Sequence, residues 1–243
     1  MGRSVIEAVE ASGAARIVAG VDVNAAALGT VCSFPVYASI DDFSGKADAI
    51  IDFSHHSALP SLINYAVSNS TPLVVATTGH TDEERQMMVD ASAKVAVFFS
   101  RNMSIGINLL IELCKKAAGA LGEDFDIEIV EKHHNKKLDA PSGTAMMIAE
   151  ALADERDSET EFVYDRHDVR RERQPSEIGI HAIRGGTIVG EHDVIFAGNN
   201  EIVTLSHTAT SREIFANGAL KAALYVADKS AGFYSMTDLI NEK

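Results

Sequence analysis

Short apolar segments separated by helical stretches constrain the fold of the first hundred residues most tightly. These segments are 16–22, 48–53, 73–76 and 94–99. Each is too short for a typical helix, and near-continuous apolar character is typical of strands that are buried on both faces. Strands that alternate with helices, such as the helix predicted over 57–69, form parallel sheets covered on both faces. The sequence therefore predicts an α/β unit built on a parallel sheet.

The second half of the chain has a different pattern. Predicted strands cover 125–132, 178–184, 187–196 and 201–207, with glycine-rich turns at 185–186 and 198–200. Residues 154–177 are charged and aperiodic, which indicates a surface excursion. We expect an α+β unit with an open mixed sheet of about four strands. The predicted domains are 1–104 with 212–243, and 105–211.

Composition excludes several classes of protein. A formal charge of -14 argues against nonspecific nucleic-acid binding. No apolar run reaches membrane-spanning length, and the N-terminus lacks the core of a signal peptide. Two cysteines, Cys32 and Cys114, provide no disulfide framework and favour a reducing, cytoplasmic location.

The segment 131–145 concentrates the chemistry of the chain. A predicted strand delivers His133, His134, Lys136 and Lys137 into a loop that ends at the start of a helix. Ser142 is a suitable N-cap, and the N–H groups of 142–144 would be free to bind an anion there. The sequence therefore predicts an anion site with groups that can exchange protons near neutral pH.

This segment has two other interpretations. One is a solvated basic turn before a capped helix, which would suit an isolated His-His pair better than this combination. The other is a metal site, which ranks low because adjacent histidines on a strand face opposite ways and lysines repel a cation.

Polar groups also follow three strands of the predicted parallel sheet. Asp22 ends one strand, 76–79 follows another with two threonines and a glycine, and 100–103 follows a third with an arginine and an amide. The carboxyl ends of parallel strands are where such sheets bind ligands, and an acid there can accept from dinucleotide ribose hydroxyls. Each feature alone is more typical of an ordinary turn or loop, but the three together at one sheet edge favour a Rossmann-type cofactor site.

The run Glu131-x-His-His-x-x-Lys-x-Asp-Ala-Pro-Ser-Gly-Thr-Ala145 resembles the signature of the dihydrodipicolinate reductase family. The resemblance implies NAD(P)H-dependent reduction of a small dicarboxylate, 4-hydroxy-tetrahydrodipicolinate, in lysine and diaminopimelate biosynthesis, by a homotetramer. It implies that His133 donates or accepts a proton and that Lys137 donates one. It places His134, Gly143 and Thr144 at dicarboxylate-binding positions.

The same resemblance extends to the cofactor segments. Ala76, Thr77 and Thr78 match a Gly-Thr-Thr loop, with Ala in place of Gly. Ser100, Arg101, Asn102 and Met103 match an Ala-Ala-Asn-Phe segment, in which only Asn102 is identical. Asp22 matches the ribose-binding acid, which predicts a preference for NADH over NADPH.

Two alternative functions are consistent with the same sequence. One is another oxidoreductase of similar architecture, such as an amino-acid dehydrogenase, which would not need the motif around His133. The other is a non-catalytic anion sensor on the same fold. Turnover of the substrate with NAD(P)H separates all three.

The family resemblance also predicts a strand and a glycine-rich turn ahead of Met1-Gly2-Arg3. We expect a chain extended upstream to bind NADH more tightly and to be more stable than the 243-residue chain.

Overall fold

The computed structural model describes residues 1–29, 32–156 and 159–242. In chain order the helices and strands are α1 (Gly2–Ser12), β1 (Gly20–Val21), α2 (Ala25–Leu28), β2 (Val36–Tyr37), β3 (Ile50–Asp52), α3 (Leu59–Asn69), β4 (Leu73–Val75), α4 (Asp82–Ser92), β5 (Ala96–Phe99), α5 (Ile105–Leu121), β6 (Asp126–His133), α6 (Gly143–Ala153), β7 (Glu161–Val163), β8 (Glu177–Arg184), β9 (Gly190–Ala197), β10 (Ile202–Ala209), α7 (Glu213–Val226), β11 (Gly232–Tyr234) and α8 (Met236–Asn241). Short 3-10 helices cover Ile40–Asp42, His56–Ala58 and Gly122–Asp124. The chain divides into two compact units, Met1–Ile105 with Glu213–Lys243, and Gly106–Arg212.

The first unit contains a parallel sheet in the order β11-β5-β4-β3. Successive residues of β4 enter different cores, as expected for a strand that is covered on both faces. Leu73 and Val75 pack with α3 and α4, whereas Val74 packs with α7. The predicted parallel α/β sheet is therefore confirmed.

The strand predicted over 16–22 is shorter than expected. Only Gly20 and Val21 pair, in parallel, with Val36 and Tyr37. Residues 16–19 lie outside the strand because β2, its neighbour, extends only from Val36 to Tyr37 and pairs with Gly20 and Val21 alone. Among the described residues, β1 pairs with β2 alone and β3 with β4 alone. The expectation about an upstream strand stays a prediction.

The second unit contains a mixed sheet in the order β10-β9-β6-β8-β7. β6 pairs in parallel with β8 and antiparallel with β9, and α5 and α6 pack on one face of the sheet. The predicted mixed sheet is confirmed, but it has five strands rather than the predicted number of about four. The charged segment 154–177 contains β7, which pairs with β8. The turn at 185–186 does not join paired strands, because β6 lies between β8 and β9.

Ion pairs anchor the charged segment to the polar face of this sheet. The Glu128 carboxylate accepts two hydrogen bonds from Arg166, at 2.8 and 3.1 Å, and one from Arg173 at 3.1 Å. His181 Nε2 lies 2.7 Å from Glu128 Oε2. We refer to these four residues as the Glu128 cluster. It explains how a segment without hydrophobic periodicity is held in place.

In the part of the chain that the structure describes, no helix combines the length and apolar character needed to cross a membrane.

Candidate active site

The alternation of β6 places two chemically active side chains on one face of the sheet. Residues 127, 129, 131 and 133 are buried, whereas the residues between them are half-buried. Side chains two apart on a strand lie on the same face, so Glu131 and His133 are neighbours. His133 Nδ1 lies 2.6 Å from Glu131 Oε2.

Glu131 is the centre of a hydrogen-bonded network. Its carboxylate is fully buried and accepts from both terminal nitrogens of Arg184, each at 2.7 Å. The backbone N–H of Ser142 also donates to it, at 3.0 Å. Burial alone would raise the pKa of Glu131, but the hydrogen bonds from Arg184, His133 and Ser142 outweigh burial, so that the pKa is lowered. Glu131 is therefore a carboxylate at neutral pH.

This network corrects one prediction from the sequence. The N–H group of Ser142 was expected to be free for an anion, but it donates to Glu131. Burial raises the pKa of the Asp139 carboxylate, but hydrogen bonds from Lys137 and, as a smaller contribution, from the Gly143 backbone outweigh it, so that the pKa is lowered. Two carboxylates of the chain itself therefore use the positive end of α6. Ser142 is the N-cap, as predicted, because its Oγ accepts from the Ala145 N–H at 3.1 Å.

His133 is buried and neutral at physiological pH. Burial lowers its pKa, and this effect outweighs the opposing influence of Glu131; the positive charges of Lys137 and Arg184 lower it further. The structure therefore brings Lys137 close enough to act electrostatically on His133. Beside the ring lies Gly190, where an added Cβ would sit 3.1 Å from His133 Nε2.

His192 is a site residue that the sequence analysis missed. Its ring meets that of His133 edge-on with 5.3 Å between centroids, and its Nε2 lies 3.3 Å from Ser142 Oγ. Burial lowers the pKa of His192 to about 4, with His133 as the second cause. His192 lies far from the motif in sequence, so only the pairing of β9 with β6 could have indicated it.

The loop between β6 and α6 carries the lysines. Lys137 Nζ lies 2.9 Å from Asp139 Oδ1, and the Lys137 side chain is mostly buried, whereas Lys136 is exposed. The Lys137 N–H donates to the carbonyl of His134, and His134 is half-buried. Arg184 Nη2 also donates to the carbonyl of Asp139 at 2.7 Å.

At the helix start, Gly143 is exposed and Thr144 is half-buried. The structure thus brings the predicted substrate-binding and proton-transferring residues into one loop and its two flanking elements.

Two of the predicted cofactor segments meet at the carboxyl edge of the parallel sheet in the first unit. Ala76 and Thr77 follow β4, and Ser100 follows β5, the neighbouring strand. The Ser100 N–H donates to the Val75 carbonyl at 3.4 Å, which links the two strand ends. Thr77 Oγ1 is buried and has no hydrogen-bond partner in the described part of the chain. Beyond it Thr78 and Gly79 are exposed.

The segment 100–103 folds on itself. Ser100 Oγ donates to the carbonyl of Asn102 at 2.7 Å, and Asn102 Oδ1 accepts from the Ser104 N–H at 2.8 Å. Arg101 is exposed. The Met103 side chain is buried in the core with residues of α7. It therefore anchors the segment 100–103 to the core and is not exposed to a ligand.

Asp22 is not joined to that edge by strand pairing. It follows β1, which belongs to the separate pair of strands. Asp22 is exposed, and its Oδ1 accepts from the Asn24 N–H at 2.8 Å.

His56 and His80, which the sequence analysis did not identify, lie in the same unit with 6.4 Å between their ring centroids. His56 Nδ1 lies 2.9 Å from Glu84 Oε1, and Glu84 completes a capping box with Thr81 at the start of α4. His80 is buried, and neither of its ring nitrogens has a partner among the described residues. No group of three or more potential metal ligands occurs in the described ranges.

Comparisons with known proteins agree with this architecture. Residues 1–103 match the family model described as "Dihydrodipicolinate reductase, N-terminus", and residues 106–240 match "Dihydrodipicolinate reductase, C-terminus". The 4-hydroxy-tetrahydrodipicolinate reductase of Caldanaerobacter subterraneus subsp. tengcongensis is 50% identical over 242 residues, covering 100% of this chain and 94% of the relative. The enzyme of the same name from Clostridium novyi is 45% identical, covering 100% of this chain and 95% of the relative.

Among solved structures, a dipicolinate-bound dihydrodipicolinate reductase from Paenisporosarcina sp. TG-14 superposes with a TM-score of 0.80 at 24% identity, covering 96% of this chain and 92% of that one. A probable dehydrogenase from Thermotoga maritima superposes with a TM-score of 0.65 at 11% identity, covering 98% of this chain and 89% of that one. At these identities the superpositions support the fold alone.

The fold is that of an α/β protein with a Rossmann-type parallel-sheet unit and a second unit built on a mixed sheet. The chain belongs to the dihydrodipicolinate reductase family. The resemblance seen in the motif 131–145 is therefore confirmed.

Proposed function

We propose that this chain catalyses the NAD(P)H-dependent reduction of 4-hydroxy-tetrahydrodipicolinate to tetrahydrodipicolinate, a step in lysine and diaminopimelate biosynthesis. In the balanced reaction a ring carbon gains a hydride and loses its hydroxyl, which departs as water after taking up one proton. The observation that carries the proposal is that one buried carboxylate, Glu131, contacts His133 and the start of α6 directly and is linked to the Lys137 loop through Arg184. Full-length identity to reductases of this name supports the choice of reaction.

Lys137 and His133 are the proposed proton-transferring groups. The Lys137 ammonium has three N–H donors and is held by Asp139 in the loop beside the site. His133 is neutral because its pKa is lowered, so its free ring nitrogen can accept a proton at physiological pH. The Lys137 ammonium can supply the proton that the departing hydroxyl takes up, and neutral His133 can transfer protons between this donor and solvent.

His134, Gly143 and Thr144 are the proposed ligands of the substrate carboxylates. They lie at the end of the strand and at the start of the helix, where N–H groups and the helix dipole favour anions. Asp139 already accepts from the Gly143 backbone, so a substrate carboxylate would compete with it there.

The proposed cofactor site lies in the first unit. The residues proposed for it are Asp22, Ala76, Thr77, Thr78, Ser100, Arg101, Asn102 and Met103. The buried hydroxyl of Thr77, which has no described partner, fits a polar ligand at the carboxyl edge of the sheet. When bound, the nicotinamide would supply the hydride. Asp22 would accept from ribose hydroxyls, and Met103 would contribute through its backbone, since its side chain is buried.

We further propose that the protein is cytoplasmic and a homotetramer. Support for the location comes from the free thiols of Cys32 and Cys114. The tetramer rests on family membership, and light scattering of the purified protein measures it directly.

The test of the function is turnover with enzymatically generated substrate, followed by the loss of NADH or NADPH absorbance. We expect substrate-dependent oxidation with at least one of the two cofactors. Binding of dicarboxylates without any turnover would favour the anion sensor. Turnover only with amino acids or other substrates would favour another dehydrogenase.

A further inference from the structure

We propose that Glu131 and Arg184 form a positioning pair, which fixes the orientation and tautomer of His133 and at the same time holds the loop that carries Lys137. The inference rests on the proposed function of those two residues and extends it to a pair for which neither the motif nor the family resemblance gave a role.

The burial of the pair is difficult to explain by stability alone. The Glu131 carboxylate is fully buried, and Arg184 is mostly buried around it. Removing two charges from water costs several kcal/mol per ion, and well-packed apolar side chains often stabilise such positions equally well. A buried pair with this many hydrogen bonds therefore suits a role in geometry better than a role in stability.

The contact with Glu131 determines which nitrogen of His133 carries the proton. An ionised carboxylate can only accept a hydrogen bond, so His133 Nδ1 must be the donor across the 2.6 Å contact. The lone pair of the neutral ring is then on Nε2. This nitrogen has no hydrogen-bond partner among the described residues, and the absence of a side chain at Gly190 leaves room beside it.

Arg184 extends the arrangement from the strand to the loop. Its Nη2 donates both to Glu131 Oε1 and to the Asp139 carbonyl, each at 2.7 Å. Asp139 in turn holds Lys137 through a 2.9 Å ion pair. One planar guanidinium thus binds both Glu131, which holds His133, and Asp139, which holds Lys137. A lysine side chain cannot reproduce this geometry.

The chain offers a matched control on the same strand. Glu128 also accepts from arginine side chains and from a histidine ring, but it lies on the opposite face of β6. A variant of Glu128 tests what the loss of a networked carboxylate does to folding without touching His133.

The experiment compares Glu131→Gln and Glu128→Gln by steady-state kinetics, thermal melting and nitrogen NMR of the histidine rings. We expect Glu131→Gln to lower kcat by about 10- to 100-fold with a smaller change in KM, as for other residues that orient reacting groups. Its pH profile should shift to lower pH because the charge that raises the pKa of His133 is lost. Glu128→Gln should change kcat by less than about twofold, whatever its effect on melting.

The NMR spectrum tests the pair even if the proposed reaction fails. In the unmodified chain the His133 resonances should show the proton on Nδ1, and in Glu131→Gln they should show a mixture of tautomers. Absence of turnover in the unmodified chain together with that NMR change would refute the function and keep the positioning role. An unchanged tautomer with unchanged kcat in Glu131→Gln would overturn the positioning role.

If Glu131→Gln does not fold, Arg184→Lys provides the second variant, because it keeps the charge and loses the bidentate geometry. Normal kcat and normal His133 resonances in Arg184→Lys would also contradict the proposal.

Discussion

His133 Nδ1 lies 2.6 Å from Glu131 Oε2, two residues earlier on the same strand. The alternation of a β-strand makes this contact possible, and the same alternation turns the Glu128 cluster to the opposite face. Glu131 and His133 are therefore held by a strand in the middle of a five-stranded sheet, whereas His134, Lys137 and Asp139 lie in the loop that follows it.

The buried His192 predicts a specific pH dependence of stability. Its pKa is about 4 in the folded chain, below the ordinary 6.5 of an unfolded histidine. Between these values the unfolded chain binds the proton and the folded chain does not, so the free energy of unfolding falls as the pH falls from about 6.5 to 4. The contribution is about 3 kcal/mol in all.

Denaturant unfolding at pH 7 and pH 5 measures this effect. His192→Gln should reduce the loss of stability on acidification, whereas His167→Gln, at an exposed histidine, should leave it unchanged. An identical pH dependence in all three proteins would show that His192 is not the group responsible.

The exposed carboxylate of Asp22 predicts a preference between cofactors. It can accept from the ribose 2′-hydroxyl of NADH and repels the 2′-phosphate of NADPH, and Val23 and Asn24 provide no compensating positive charge. We expect a higher kcat/KM with NADH than with NADPH. Asp22→Ala should reduce the ratio of kcat/KM with NADH to kcat/KM with NADPH. A clear preference for NADPH in the unmodified chain would rule out this role.

Two helical glycines differ in what surrounds them, which predicts opposite effects of alanine. At Gly218 in α7 an added Cβ would lie 1.7 Å from the Met103 carbonyl oxygen, so Gly218→Ala must displace the segment 100–103. We expect a loss of about 1–3 kcal/mol and weaker cofactor binding. At Gly119 in α5 no atom lies within 4 Å of the added Cβ, and Gly119→Ala should stabilise by up to about 1 kcal/mol. Thermal melts of both variants check the comparison, and similar melting temperatures would contradict it.

The elements that the sequence predicted well are those with strong local patterns. The apolar runs 73–76 and 94–99 were sufficient to predict β4 and β5, and Ser142 was sufficient to predict the start of α6. β7 was missed because its three residues lie in a charged segment and are stabilised only by pairing with β8. Local patterns carry no information about such distant partners.

The residues of the candidate site also divide into those with a local signal and those without one. The motif was sufficient to identify His133 and Lys137, because both lie within one short segment. Arg184 and His192 were not predicted, since each reaches the site only through the pairing of its strand with β6. The free N–H predicted at Ser142 was wrong because a buried carboxylate from the preceding strand accepts from it.

The proposed proton transfer by Lys137 can be tested directly, because the adjacent lysine, Lys136, provides a matched control. Lys137 is mostly buried and paired with Asp139, whereas Lys136 is exposed. Steady-state turnover of 4-hydroxy-tetrahydrodipicolinate should fall by about 10²- to 10⁴-fold in Lys137→Ala and much less in Lys136→Ala. Equal losses in the two variants would mean that the lysines supply only diffuse positive charge, and would contradict the account.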